Sequence, residues 1–114
     1  MKYMTSELSG KYLNQAVANA ISEDSGVADY CAMWEYGGPL IERNHISIEF
    51  YGSYWGAVPK DDRGYEVPDI SPAKHEGMAS GWCPVMATGP TPLVAAMRAL
   101  VLAKFGDEVD LDQD

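Results

Sequence analysis

The sequence predicts an α+β domain, in which a small, mainly antiparallel sheet is flanked by an N-terminal amphipathic helix and a buried C-terminal helix. Three observations predict this fold. Apolar residues recur at helical spacing over residues 10–21, and they alternate with polar residues over residues 46–50. Residues 92–105 are almost wholly apolar and lie between a helix start signal and a glycine. A length of 114 residues suits a single domain over 1–114 with one core.

The first helix is predicted to run from Gly10 to Ile21. Ser9 is its expected N-cap, and Leu8 is placed to pack as a staple onto Leu13. Its apolar stripe faces the core and consists of Leu13, Ala16, Val17, Ala20 and Ile21. Turn-forming residues at 22–26 end the helix.

An aromatic-rich connection is predicted over residues 29–36, and it ends at the break formed by residues 37–39, Gly-Gly-Pro. A short strand is expected to begin at residues 40–41. The alternation over residues 46–50 indicates a second strand covered on one face, and residues 54–58 should be its hairpin partner.

A long loop is predicted at about 59–80, because this segment holds three prolines and shows almost no periodicity. Loops of this length inside a domain are usually functional or mobile. Residues 82–87 are expected to form a third strand, and Pro84 would place it at an edge or make it a strand start.

The C-terminal helix has strong boundary signals. Thr91 is the expected cap, Pro92 occupies the first helical position, and Gly106 closes the helix after Lys104 in the last turn. The acidic tail at about 107–114 is expected to form a brief strand followed by disorder.

Arg98 stands in the middle of this apolar helix. A buried guanidinium that lacks a partner would cost several kcal/mol, on the order of the penalty for any isolated buried charge. Two interpretations are open. The guanidinium pairs with a carboxylate inside the fold, or it joins the helix start in an anion site. The candidate carboxylates are Glu7, Asp29, Glu42 and Glu108.

The charge of the chain limits the classes of partner that it is expected to bind. Seventeen acidic and eight basic side chains give a net charge of −9, which repels nucleic-acid backbones, so direct nucleic-acid binding is not expected. The same charge leaves open an acidic mimic of DNA. No apolar run reaches the length of a secretory or membrane-spanning segment, so we expect no membrane partner and a cytoplasmic location.

The sequence lacks the common catalytic motifs, and no enzymatic activity and no cofactor are expected. A pair of Cys83 and His75 has no spacing that would aim one at the other. His75 and Glu76 with nearby aspartates likewise show no metal-ligand spacing, and no metal site is predicted. Cys31 and Cys83 are expected to be reduced and partly buried.

Aromatic residues are the main candidates for a binding surface, because aromatic side chains dominate protein interfaces and also stack on bases. Core packing should account for about half of them. The candidates are Trp34, Tyr36, Tyr51, Tyr54, Trp55 and Trp82, with Arg43 and Arg98 as possible ligands for an anion.

Three stretches together resemble the NinX-like family of phage and prophage proteins: TSELSGKYLNQAVANA near the N-terminus, GGPLIER in the middle, and GPTPLVAAMRALVLAKFGDEVDL at the end. The resemblance covers both ends and the middle of the chain. The segment at 59–80 departs from it and looks like an insertion. The resemblance implies a phage-encoded protein that acts in the cytoplasm of the bacterial host, and it implies no enzymatic activity.

The function expected from the sequence is therefore that of a non-catalytic accessory protein that binds a host or phage protein. A protein that binds or sequesters a nucleotide-like small molecule is the first alternative, and the acidic DNA mimic is the second. The sequence leaves the oligomeric state open.

Overall fold

A computed structural model of the chain describes residues 2–22, 28–60 and 86–111. The elements in chain order are β1 (Lys2–Met4), a 3-10 turn (Thr5–Glu7), α1 (Gly10–Ala20), α2 (Trp34–Arg43), β2 (Ser47–Phe50), β3 (Trp55–Val58), β4 (Ala87–Gly89), α3 (Pro92–Phe105) and β5 (Glu108–Asp110). Strands β2, β3 and β4 form one antiparallel sheet in that order, and β1 pairs with β5 in a second. The predicted α+β class is confirmed.

Helix α3 packs against the three-stranded sheet, as predicted, and it also packs against α1. Its start follows the local chemistry, because Thr91 Oγ1 accepts a hydrogen bond of 3.1 Å from the Val94 N–H and Pro92 occupies the first turn. Gly106 ends it with a φ of 86°, a conformation that favours glycine. Its buried residues are Leu93, Ala95, Ala96, Met97, Ala99, Leu100 and Val101.

Helix α1 lies close to its predicted position and buries Leu13, Ala16 and Val17 of the expected stripe, whereas Ala20 and Ile21 are partly buried. Leu8 and Leu13 are both buried, in agreement with the predicted staple. Ser9 is the N-cap residue, but its side chain makes no capping hydrogen bond, so that part of the prediction is wrong. Its carbonyl instead accepts the first helical bond from the Leu13 N–H at 3.3 Å.

Helix α2 corrects the sequence analysis, which predicted a connection over residues 29–36, a break at 37–39 and a strand at 40–41. The helix covers residues 34–41 of this stretch and contains Pro39, whereas residues 29–33 are a turn and coil before it. The reason is packing. Gly37 is buried, and a Cβ there would strike the Tyr30 carbonyl oxygen and come within 2.6 Å of Leu93 Cδ2, so only glycine lets α2 approach α3 this closely. Leu40 is buried on the same helix. Tertiary contact thus outweighs weak local helix propensity.

The predicted hairpin is confirmed. Strands β2 and β3 flank a turn in which Gly52 has a φ of 95° and the Tyr51 N–H donates to the Tyr54 carbonyl at 2.9 Å. The predicted third strand is partly corrected, because β4 begins only at Ala87 and continues to Gly89. The earlier part of that prediction, including residue 82, and nearly all of the predicted loop lie outside the described residues.

The acidic tail contributes a strand, as predicted, and buries Val109 and Leu111. Its partner β1 was not predicted. Tyr3 lies opposite Val109 in this pair, and its ring stacks on that of Tyr12 in α1 at 5.1 Å between centroids. In the described part of the chain, no helix is long and apolar enough to cross a bilayer.

Candidate functional site

Arg98 is half-buried, and its guanidinium bonds to the backbone. Nε donates to the Leu8 carbonyl at 2.8 Å, and Nη1 donates to the Thr88 carbonyl at 2.9 Å. No carboxylate in the described ranges is bonded to it. The predicted pairing with an acidic side chain is therefore replaced by a link between two backbone segments, the one before α1 and strand β4.

This arrangement makes Arg98 a structural residue. Burial lowers its pKa, but arginine stays protonated near neutral pH. The two carbonyl oxygens accept hydrogen bonds from two of the guanidinium N–H groups, so these donors are satisfied inside the fold. Arg98 also lines neither of the two cavities described below. The interpretation of this residue as an anion ligand thus gains no support from its geometry.

The β2–β3 hairpin carries a cluster of four rings, which we call the aromatic hairpin surface: Phe50, Tyr51 and Tyr54, which are exposed, and Trp55, which is half-buried. Phe50 is 55% exposed, Tyr51 44% and Tyr54 41%. Phe50 and Trp55 lie opposite each other in the strand register with ring centroids 4.9 Å apart. Tyr51 and Tyr54 stack at 5.4 Å across the turn. The rings are therefore held by one another and by the strands.

The backbone of β3 explains how the tyrosines are positioned. Gly56 has no side chain, and the ring of Tyr51 lies over it, since a Cβ there would come within 2.6 Å of Tyr51 Cε2. The Tyr51 hydroxyl donates to Glu49 Oε1 at 3.2 Å. The negative charge of Glu49 raises the pKa of Tyr51, so the phenol remains a neutral donor. Trp55 is half-buried and packs against the core.

A second candidate is an open cleft of about 490 Å³ beside the start of α3. Trp34, the first residue of α2, is 55% exposed and forms part of its wall. Asp29 lies in the wall as well, where it accepts a hydrogen bond of 2.8 Å from Asn14 Nδ2. The remaining lining residues are Gly10, Cys31, Ala32, Thr91, Pro92, Leu93 and Val94.

The electrostatics of this cleft do not favour an anion. Pro92 has no N–H, and the Val94 N–H already binds the Thr91 side chain, so the helix start offers few free donors. The carboxylate of Asp29 adds a negative charge.

The thiol of Cys31 is buried, as predicted, and it is unpaired. Burial and the nearby Asp29 carboxylate raise the pKa of the thiol. Cys31 is therefore a protonated thiol near neutral pH rather than a nucleophile. Its backbone N–H donates to Asn14 Oδ1 at 3.0 Å, which holds this segment against α1.

The predicted site residues fall in different places. Tyr54 and Trp55 belong to the hairpin, and Trp34 belongs to the cleft, whereas Tyr36 and Arg43 are exposed elsewhere on α2. The predicted site residue Trp82 lies outside the described residues, as do Cys83, His75 and the acids beside it, at which no site was predicted.

Sequence reasoning missed Phe50 as a surface residue. Its alternation with Ser47 and Glu49 predicted a core-facing position, but it is the last residue of β2 and is 55% exposed. The signal was its position next to the turn.

A smaller cavity of about 220 Å³ lies between the N-terminal segment, β4 and the end of α3, with Met4 and Met86 at its rim. Thr5 is the buried polar residue in the described lining of this cavity. Its hydroxyl already has a hydrogen-bond partner, because Oγ1 donates to the Gly106 carbonyl at 2.7 Å. Within residues 2–22, 28–60 and 86–111, no cluster of three or more acidic, histidine or cysteine side chains is placed to hold a metal ion.

No model of a known protein family matches the chain, and no curated protein is significantly similar to it. The resemblance to the NinX-like family consequently stays a prediction that depends on the three sequence stretches named above.

Proposed function

We propose that this protein is a non-catalytic accessory protein of phage origin that binds a host or phage protein through the aromatic hairpin surface. The observation that carries the proposal is the exposure of Phe50, Tyr51 and Tyr54, each more than two-fifths open on a rigid two-stranded support. Large aromatic rings that are already ordered contribute contact area at little cost in conformational entropy. A preorganised surface of this kind favours protein recognition.

The net charge of −9 supports the same direction, because an acidic chain is kept away from nucleic acid and drawn to basic protein surfaces. The phage origin rests on the sequence resemblance alone. The rings do not need a cofactor or a catalytic group for this role.

The test is affinity capture from lysate of infected host cells, with three tagged forms of the protein. The wild type is compared with a triple variant, Phe50→Ser, Tyr51→Ser and Tyr54→Ser. Phe105→Ser is the matched control, since Phe105 is an exposed ring at the end of α3. We expect one stoichiometric partner with the wild type and the control, and its loss with the triple variant. Recovery of no such partner, or equal recovery with all three forms, contradicts the proposal.

The cleft at Trp34 supports a second candidate function, the binding of a nucleotide-like small molecule. Its volume of about 490 Å³ and its exposed indole suit a flat ring. The acidic wall at Asp29 favours a ring with a donor or a cationic group over a phosphate. Neither Arg43 nor Arg98 lines the cleft, so this candidate rests on Trp34.

A ligand that binds the folded state well above its dissociation constant raises the melting temperature. We expect a nucleoside to raise it more than the corresponding nucleotide does, and Trp34→Ala to abolish the shift. A panel of nucleosides and nucleotides that leaves the melting temperature unchanged eliminates this candidate.

A further inference from the structure

We propose that the partner docks as an extended, basic segment that adds a strand to the open edge of β2. This inference rests on the proposed function and specifies the chemistry of the partner at the same hairpin. Within residues 2–22, 28–60 and 86–111, β3 is the one neighbour of β2 in the strand order, which makes β2 an edge strand of the described sheet. Sheet edges of this kind are known templates for strand addition.

The register shows which backbone groups face the open edge. The Tyr51 N–H donates to the Tyr54 carbonyl, so these two residues form a hydrogen-bonded pair. In an antiparallel ladder such pairs alternate with non-bonded pairs. Glu49 and Ser47 therefore point their backbone groups at β3, whereas Ile48 and Phe50 point theirs away from it.

The outward groups are available. Neither the N–H nor the carbonyl of Ile48 or Phe50 has a hydrogen-bond partner in the described part of the chain. Phe50 is exposed and Ile48 is half-buried, so the edge reaches solvent. Two residues before Ile48, the edge is closed, because the Ile46 N–H donates a hydrogen bond to the Ile41 carbonyl at 3.0 Å. The open segment thus offers two donors and two acceptors to an added strand.

A second copy of this chain fits the edge poorly. An antiparallel pairing of two β2 strands that uses all four groups sets Ile48 against Phe50 of the other copy. This register places the two Glu49 side chains directly opposite each other, and like charges in that position are destabilising. The net charge of −9 adds repulsion between whole chains. Glu49 therefore disfavours pairing of this edge with the same edge of a second copy.

The same carboxylate selects a basic partner. Glu49 is exposed in the middle of the edge strand, and a lysine or arginine on an added strand would lie directly opposite it. Lys60 lies at the far end of β2, where its Nζ donates to Ser47 Oγ at 2.7 Å. Next to Glu49, the rings of Phe50 and Tyr51 offer apolar contact to alternate side chains of the same segment.

The first test uses a synthetic peptide of about eight residues in which lysine alternates with valine, long enough to span the edge. Two matched peptides serve as controls. A fully N-methylated form keeps the side chains and the charge but has no N–H donors, and a second form replaces lysine with glutamate. We expect the first peptide to bind and both controls to fail. Binding of the N-methylated form with equal affinity overturns the inference.

Amide hydrogen exchange measured by NMR locates the contact. We expect the peptide to slow exchange at Ile48 and Phe50, whereas the amides of Ser47 and Glu49, which already face β3, should not change. Unchanged exchange at Ile48 and Phe50 overturns the inference. Slower exchange at these two amides on raising the protein concentration without peptide shows a second copy as the occupant, and this also overturns it.

A pair of variants separates the backbone from the ring. Phe50→Ala and Phe50→Pro both remove the ring, but only the proline removes the outward N–H, which edge strands tolerate. We expect the proline variant to bind the lysine–valine peptide about tenfold more weakly than the alanine variant, the effect of about one hydrogen bond. Equal affinities contradict strand addition. If the proline variant does not fold, the peptide and exchange experiments still decide.

These outcomes are distinguishable from those of the capture experiment. One outcome is that capture of the partner requires the three rings, but N-methylation of the peptide does not weaken its binding. This outcome supports the proposed function and contradicts strand addition. Failure to capture any stoichiometric protein removes the proposed function itself.

Discussion

Helix α3 and the β2–β3 hairpin are both rich in apolar side chains, but they use them differently. Met97 and Val101 are fully buried on α3, which packs against α1 and the sheet. The rings of Phe50, Tyr51 and Tyr54 are held in order and remain largely open to solvent. Burial in the first region accounts for the stability of the fold. The exposed rings of the second region should contribute little to stability, and their exposure is the observation behind the proposed partner surface.

The largest expected difference between the two regions is in the free energy of unfolding. Met97→Ala should lower it by about 2–5 kcal/mol, because the residue is 0% exposed and its loss leaves a cavity. Phe50→Ala should lower it by less than about 1 kcal/mol, since mainly the ring contact with Trp55 is lost. Urea denaturation followed by circular dichroism measures both. Similar losses for the two variants would show that the hairpin rings belong to the core.

The same contrast explains which parts of the fold the sequence could predict. The limits of α3 follow from local chemistry, namely a cap at Thr91, a proline after it and a glycine at the end. Helix α2 depends on the contact of Gly37 with residues 30 and 93, which no local pattern reveals. The pairing of β1 with β5 joins two three-residue strands at opposite ends of the described chain, too short for a periodicity to be recognised.

The candidate site was predictable only as a set of residue types. The density of aromatic residues pointed to a binding surface, but the period-two alternation by itself gave Phe50, which is exposed, and Ile46, which is buried, the same core-facing position. For Arg98, the sequence predicted a need for partners and left open whether they are acidic side chains or a bound anion. The true partners are the carbonyls of Leu8 and Thr88, and backbone acceptors carry no residue-type signal.

Glycines 37 and 38 test how closely α2 is fitted to the α3 side of the molecule. Gly37→Ala should destabilise the protein by about 1–3 kcal/mol, because the added methyl meets the Tyr30 carbonyl and Leu93. Gly38→Ala should change it by less than about 1 kcal/mol, since its Cβ would meet only Trp34 Cε3, at 3.8 Å, and the helix preference of alanine is offset by the position before Pro39. Thermal and urea unfolding of the two variants give the comparison. Equal effects would mean that α2 does not pack as described.

Arg98 provides the next test, because it joins α3 to the N-terminal segment and to β4. Arg98→Leu should lower the free energy of unfolding by about 1–3 kcal/mol, since two carbonyls lose their donor. Arg98→Lys should lower the free energy of unfolding by less, because the lysine ammonium can still donate to one of the two carbonyls.

Salt distinguishes this arrangement from the ion pair that the sequence predicted. Bonds to neutral carbonyls are little screened, so the loss in Arg98→Leu should be the same at low and high ionic strength. A loss that shrinks as salt is added would show that a carboxylate is the main partner. Lys104→Ala is the matched control for removing a positive charge from the same helix, and it should have little effect because Lys104 is exposed.

The smallest expected effect compares the starts of the two helices that cover the core. Thr91→Ala should destabilise the protein by about 1 kcal/mol, because the Val94 N–H loses the side-chain oxygen that caps α3. Ser9→Ala at the start of α1 should change it by less than about 0.5 kcal/mol, since the Ser9 hydroxyl makes no capping bond. The two losses are compared by the urea concentration at the midpoint of unfolding, provided that the dependence of the unfolding free energy on urea is the same in both variants. An equal loss at both positions would mean that the Ser9 hydroxyl caps α1 in solution, as its sequence position predicts, and that local signals define α1 as fully as they define α3.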